Sequence, residues 1–322
     1  MKFSVRAPVL AALSTALVIT ATAASSLSRP SPTTPHTPPA QAASSASARP
    51  AIERSHSVVR EPARHTEGSA ASYTVFRPAD TNRKLPVLVY GNGACRHASA
   101  NRMIGTHTLV ASHGFIVIAV GGFDQPDQDE EGTPEPDVLR DAITWAEREN
   151  QRKGSSLLHR IDTRRIAVGG NSCGGLEALV AGADPRVASV ASLNSGFFAD
   201  GRFGYGREEL KKLHTPTLFV DGGPDDQAHE NSRANYDLVD VPAVRATNPS
   251  AGHSGLWYGL RDGEVNGSIR EEGVAVVVQW LDFTLNGNRT ARDYFLGDDC
   301  GLCSVAGWQD ITAKGFTEEG AR

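Results

Sequence analysis

The stretch Ile166-Ala167-Val168-Gly169-Gly170-Asn171-Ser172-Cys173-Gly174-Gly175-Leu176-Glu177-Ala178-Leu179 decides the reading of this chain. Its first half is a compact apolar run of strand type. Its second half has the small and long unbranched residues that favour a helix. Between them lies Gly170-x-Ser172-x-Gly174. A serine on a sharp turn from strand to helix needs residues without side chains two places before and two after it, so that strand and helix can approach. Such a turn lifts the hydroxyl above the sheet edge. It also aims at that hydroxyl the unpaired N–H groups and partial positive charge of the helix N-terminus. The blander reading is a glycine-rich turn with an incidental serine, and the rest of the chain has to decide between the two.

On either side of this stretch, apolar runs alternate with helical spacing. Tyr73–Phe76 reads as an early antiparallel strand, and Leu85–Tyr90 as a strand entering the loop Gly91-Asn92-Gly93-Ala94-Cys95. A helix is expected over roughly Ser99–Ser112, a strand at Phe115–Val120, a polar loop with three prolines at Asp124–Asp137, and a helix at Val138–Gln151. After the central stretch come strands at Val187–Leu193, Thr217–Val220 and Val244–Ala246, then a closing helix at Ile269–Leu285. Continuous apolar strands alternating with helices are the pattern of a mostly parallel sheet covered on both faces. The expected fold class is α/β, with a mostly parallel central sheet and helices on both faces; the Gly-x-Ser-x-Gly turn at its centre makes it resemble the α/β-hydrolase fold.

In such sheets the reactive groups gather in loops at the carboxyl ends of the strands. A serine hydroxyl is a weak nucleophile at neutral pH and needs a histidine base, itself oriented by a buried carboxylate. In α/β-hydrolases these follow in the order Ser, acid, His. Of the ten histidines, His253 fits best, in a glycine-flanked loop after the last strand. His214 precedes a strand and His229 begins a helix, so both are worse placed. The acid is expected just past Thr217–Val220, in Asp221-Gly222-Gly223-Pro224-Asp225-Asp226. Asp225 is the first choice, Asp226 the second and Asp221 the third. Asp226 would equally serve to cap the next helix, and Asp221 to cap the turn. The oxyanion hole needs two N–H donors. Cys173 supplies one, and Ala94 or Asn92 in the glycine-rich loop supplies the other.

The net charge of −5 and the absence of a Lys/Arg cluster argue against nucleic acid as the main partner. Lys2 and Arg6 precede an apolar run that ends in Ala21-Thr22-Ala23, the pattern of a cleaved export signal over residues 1–23. The run is too weakly hydrophobic for a lasting membrane span. Residues 24–51 are rich in Pro, Ser, Thr and Ala and are expected to form a disordered tether, with the catalytic domain at 52–322. Among four cysteines, Cys300 and Cys303 form the close pair. In an exported chain they are expected to be a disulfide rather than half of a zinc site. Should the Gly91–Cys95 loop serve the oxyanion hole, Cys95 and Cys173 would lie close enough to bridge. Phe197, Phe198, Phe203, Tyr205, Trp257 and Tyr258 either line an acyl or alcohol pocket or belong to the core. His97 and His107 read as surface or helix residues rather than ligands. The acidic run Asp124–Glu131 reads as a solvated loop, since it lacks the spacing of a calcium site.

From about Leu85 to Leu285 the chain resembles the secreted α/β-hydrolases of the bacterial cutinase and polyester-hydrolase group. The likeness lies in Ala111-Ser112-His113-Gly114-Phe115, Asp124-Gln125-Pro126, Asp162-Thr163-Arg164-Arg165-Ile166, Thr215-Pro216-Thr217-Leu218 and Gly252-His253. It is closer still to a less characterised group of secreted hydrolases. That group carries Ser-Cys-Gly-Gly at the elbow, a Gly-Asn-Gly loop with a nearby cysteine, a Gly-Gly-Pro-x-Asp acid loop and a late Asp-Cys-Gly-Leu-Cys. Two departures from the polyester hydrolases stand out: Cys173 where those enzymes have methionine, and Asn92–Ala94 where their oxyanion loop is aromatic. The aromatic clamp for aryl polyesters is therefore not implied.

Together these readings predict a secreted, monomeric serine esterase without metal or organic cofactor. It would act through Ser172, Asp225 and His253 and an acyl-enzyme, on short-acyl or polymer-linked esters. The loop between Leu193 and Leu210 is too short for a large lid. A peptidase or amidase, or a non-catalytic binding protein that keeps the scaffold, are the alternatives.

Overall fold

Unbroken runs of valine, isoleucine and leucine cannot leave one face of a strand in water, so the strands they form have to be covered twice. The computed structural model describes residues 56–63, 72–98, 101–122, 132–258, 260–261, 264–265 and 267–317. The expected leader, the tether and the acidic run Asp124–Glu131 lie outside the described residues. Chain order runs β1 (Val58–Ala63), β2 (Tyr73–Pro78), β3 (Leu85–Gly91), α1 (Ile104–Ala111), β4 (Ile116–Val120), α2 (Asp137–Glu149), β5 (Ile161–Asn171), α3 (Cys173–Ala181) and β6 (Val187–Leu193). It continues with β7 (Thr217–Asp221), α4 (His229–Leu238), β8 (Ala243–Thr247), α5 (Gly255–Tyr258), the hairpin β9 (Leu260–Arg261) and β10 (Glu264–Val265), α6 (Gly267–Asn286), α7 (Arg289–Asp293) and β11 (Gln309–Lys314).

The main sheet has the order β1-β2-β4-β3-β5-β6-β7-β8-β11. The six strands from β4 to β8 are mutually parallel, while β1, β2 and β11 run antiparallel at the edges. Alternation along each strand sends side chains to two cores. In β3, Leu88 and Tyr90 join the core beneath α1 and α6. Val87 and Val89 join the opposite core beneath α2 and α3. The indole of Trp280 on α6 is buried and donates to the Val190 carbonyl at 3.1 Å, which ties that helix across the sheet centre.

The mostly parallel sheet with helices on both faces is the architecture expected from the sequence. Boundaries differ in informative ways. Strand β5 begins at Ile161, five residues before the apolar run, because Ile161 pairs with Leu85 ahead of an irregularity in the ladder. The helix expected near Ser99–Ser112 is α only from Ile104, preceded by a 3₁₀ turn at Asn101–Met103. The edge strands β1 and β11 were not expected. β11, Gln-Asp-Ile-Thr-Ala-Lys, leaves most of its side chains to solvent, so it carries no apolar pattern to read.

Candidate active site

Ser172 stands between β5 and α3 at φ 54° and ψ −121°, a backbone region that costs a non-glycine residue energy unless its surroundings enforce it. Here they do. Its N–H donates to Leu193 at the end of β6 at 2.8 Å, and its carbonyl accepts from the N–H groups of Gly175 and Leu176. The flanking glycines are required by contact: a Cβ on Gly174 would lie 2.1 Å from the Gly91 carbonyl oxygen, and one on Gly170 would lie 2.4 Å from Gly174. The ends of β3 and β5 and the start of α3 therefore meet at a spacing that side chains would forbid.

The acid turn and the histidine loop meet in the same manner. A Cβ on Gly222 would fall 1.8 Å from the Gly252 carbonyl oxygen, and Gly252 donates its N–H to Gly222 at 3.2 Å. This contact carries His253 back over the sheet edge. Its Nε2 lies 2.9 Å from Ser172 Oγ, and its Nδ1 lies 2.6 Å from Asp226 Oδ1. The ring is 27% exposed and the carboxylate wholly buried.

The first-choice acid, Asp225, needs correction. Pro224 and Asp225 occupy the corner of a β-turn closed by Asp226 N–H donating to Gly223 at 2.8 Å. The corner residues face water, and Asp225 is exposed. The chain comes back at Asp226, whose carboxylate takes four donors. His253 and the Ala228 N–H reach Oδ1, and the Asn194 amide (2.6 Å) and the Gly222 N–H (2.9 Å) reach Oδ2. Burial alone would raise this carboxyl's pKa. The bonds from His253, Gly222 and Ala228 outweigh burial and hold it below the usual carboxylate range. Asp226 therefore contacts the histidine and the start of the next helical segment at once. Asp221 is buried as well, but it holds the turn together: it accepts from Gly223 N–H, Thr247 Oγ1 and His229. His214 is exposed beside the Asp184 carbonyl.

Across from the acid turn, the Gly91–Cys95 loop packs against the start of α3. Cys95 and Cys173 form a disulfide with Cα atoms 5.2 Å apart. The N–H groups of Cys173 and Ala94 donate to no group among the described residues. The Asn92 side chain is buried and donates to the Val120 and Arg96 carbonyls at 2.6 and 3.0 Å, and the Asn92 nitrogen would lie 2.8 Å from a Cβ on Gly174. All three oxyanion candidates therefore gather around the elbow.

A family model described as PETase, PET hydrolase-like, matches residues 29–241, well over half of the chain. The chain belongs to the PET hydrolase-like family. Membership makes it an α/β-hydrolase and, as a general class, a serine-type carboxylic ester hydrolase. No curated protein matches it. The family match contains Ser172 and Asp226 but stops short of His253, so His253 is brought beside them by geometry alone.

Two further residues touch the hydrogen-bonded Ser172, His253 and Asp226 without having been expected. Asn194, one residue past β6, is buried at φ 48°. It accepts from the Trp257 indole and donates to both Asp226 and the Gly252 carbonyl. Gln227 is exposed, with its amide nitrogen 3.1 Å from His253 Nε2, the atom that also faces Ser172. A lone Asn and a Gln beside an acid form no motif, so neither could be singled out from the sequence.

The aromatic residues divide. Phe197 and Trp257 are core, and Tyr205 packs against it. Phe198 and Phe203 meet edge-on at 5.7 Å, with Phe203 56% exposed. Tyr258 is half-buried, its hydroxyl 3.4 Å from the Asn171 amide. His97 bonds the buried Glu177 at 2.7 Å. Burial lowers its pKa, but the Glu177 bond and the charges of Glu177 and Glu135 prevail and raise it. His107, expected on a helix or the surface, lies on α1 and is completely buried. Cys95, Cys173 and Glu177 are grouped closely enough for a metal. The two sulfurs are bonded to each other, however, and the thiolate is the form that ligates.

Proposed function

We propose that this PET hydrolase-like protein hydrolyses carboxylic esters through Ser172, His253 and Asp226. One observation carries the proposal: an unbroken hydrogen-bond chain from Ser172 Oγ to His253 Nε2 at 2.9 Å and from His253 Nδ1 to Asp226 at 2.6 Å. With Nδ1–H directed at Asp226, Nε2 is left to accept the serine proton. Ser172 attacks the ester carbonyl and His253 takes its proton, then passes it to the leaving alcohol. The ionised Asp226 orients the ring and balances the imidazolium. The N–H of Cys173 and a second N–H from the Asn92–Ala94 segment hold the oxyanion. Water, deprotonated by the same histidine, then releases the acid from the acyl-enzyme.

The substrate class is soluble short-acyl or polymer-linked esters, in keeping with a partly exposed histidine and the short segment between β6 and β7. The protein is an exported one. The two disulfides fit an oxidising compartment, and no helix among the described residues is long and apolar enough to cross a membrane. Hydrolysis of p-nitrophenyl acetate, butyrate and longer esters, run beside an anilide and with Ser172→Ala, tests the assignment. Activity on the esters that disappears in the variant is the expected result. Preference for the anilide would make it an amidase. Failure of a fluorophosphonate to label Ser172 would leave only a binding role for the scaffold.

A further inference from the structure

The two sides of the oxyanion hole are covalently joined. Cys173 contributes its own N–H at the start of α3, and Cys95 directly follows the Asn92–Ala94 segment that contributes the other donor. Their disulfide is thus a short covalent path between the donors. The loop has reason to need it, because Ala94 and Cys95 are consecutive non-glycine residues at φ 57° and 50°. Side chains disfavour that conformation, and it persists only when the surroundings impose it. Other ties act on the same segment. Gly132 N–H donates to the Ala94 carbonyl at 3.0 Å. His97, two residues past Cys95, bonds Glu177, which sits one helical turn beyond Cys173 on the same face of α3. A covalent and an ionic staple therefore fasten one loop to adjacent turns of one helix.

The geometry points to Cys95 and Cys173 as positioning residues for catalysis: their bond fixes the spacing of the two oxyanion donors, and breaking it lowers turnover while the Ser172–His253–Asp226 chain stays intact. The inference rests on the esterase reading above. A dithiol reductant breaks the bond in two steps. Its thiolate attacks one sulfur and expels the other as a thiolate. Its second thiol then displaces the first protein sulfur, leaving two protonated cysteines and an oxidised reductant. Cys173 is partly exposed, which gives the reagent access.

The variant Cys95→Ser is compared with wild type for p-nitrophenyl butyrate hydrolysis and for inhibition by an alkyl boronic acid, whose serine adduct carries the tetrahedral oxyanion. Loss of a whole oxyanion donor costs roughly 10²–10³ in kcat. A loosened donor is expected to cost about 10–100-fold, with KM within about twofold and boronate affinity falling in step with kcat. If Cys95→Ser does not fold, Cys300→Ser/Cys303→Ser, which removes the distant bridge, is reduced with dithiothreitol and reoxidised. Turnover is then expected to fall and return as two thiols appear and vanish. Unchanged kcat and boronate affinity in a folded Cys95→Ser protein, or in the reduced double variant with two titrated thiols, would overturn the inference. Esterase activity that survives Ser172→Ala sinks the underlying reading instead, so the two failures are separable.

Discussion

At the scale of single residues, Asp225 and Asp226 show what a sequence can and cannot disclose. Both follow the same strand in the same motif, and only the turn separates them, with one at its exposed corner and the other folded back against His253. Asp226→Asn is expected to lower kcat by a factor on the order of 10⁴ through loss of the correct histidine tautomer and charge. Asp225→Asn should stay within about twofold, and steady-state kinetics on one ester distinguishes them. That Ser172 and His253 would meet was legible because a steric rule and a chain order constrain them. Which aspartate would face His253 was not, since adjacent aspartates differ only in turn geometry. His107 makes the same point about burial. It lies between Phe76 and Tyr90, and neither ring nitrogen has a partner among the described residues. Burial lowers its pKa to about 3. The unfolded chain takes up this proton near the ordinary value of about 6.5, whereas the folded chain resists it down to about 3. Stability is therefore complete above about pH 6.5 and declines as pH falls towards 3, by on the order of 4 kcal/mol from this group. The lowered pKa of Asp226 adds loss in the same direction at still lower pH, as that carboxylate is protonated. Urea melts between pH 7 and 4 should show the His107→Leu variant losing less stability on acidification than wild type.

Among the elements, the ones that carry the site are also the ones the sequence showed best. β3, β6, β7, β8 and the Ile166–Asn171 part of β5 are buried on both faces, and each delivers a loop to the same edge. What could not be read was how closely those loops approach. Gly222 illustrates this. In the sequence it is one of two glycines in a turn, and in the fold it is the contact between the acid turn and the histidine loop. Gly222→Ala would push the Gly252 carbonyl away and separate Asp226 from His253. Turnover is expected to fall by about 100-fold or more, since small misplacements of reacting groups carry costs of that size. Stability should fall by about 1–3 kcal/mol from overpacking, read from thermal melts. On the opposite face, Trp280 fills the core under α6 with Phe283, Phe295 and Phe316 around it. Trp280→Ala should cost about 3–5 kcal/mol and reduce the yield of folded protein, with the specific activity of what remains little changed.

Over the whole molecule, the sheet is closed at its C-terminal edge by a strand with almost no hydrophobic signal. β11 pairs antiparallel with β8, the strand from which the His253 loop departs. Without β11, the backbone donors and acceptors of β8 would form an open edge, which invites pairing between molecules. Truncation after Ser304 is expected to yield a protein that melts lower and aggregates on standing, as light scattering would report. The central architecture was legible because burial on two faces leaves a mark in composition. Edge strands stay half in water and leave no such mark.

The two disulfides also bear on how the chain reaches this state. Their spans do not overlap along the sequence: one closes between Cys95 and Cys173, the other between Cys300 and Cys303. A polypeptide that emerges N-terminus first offers its first two thiols to each other well before the second two appear. Pairing in order of emergence thus arrives at the native connectivity without passing through a scrambled isomer.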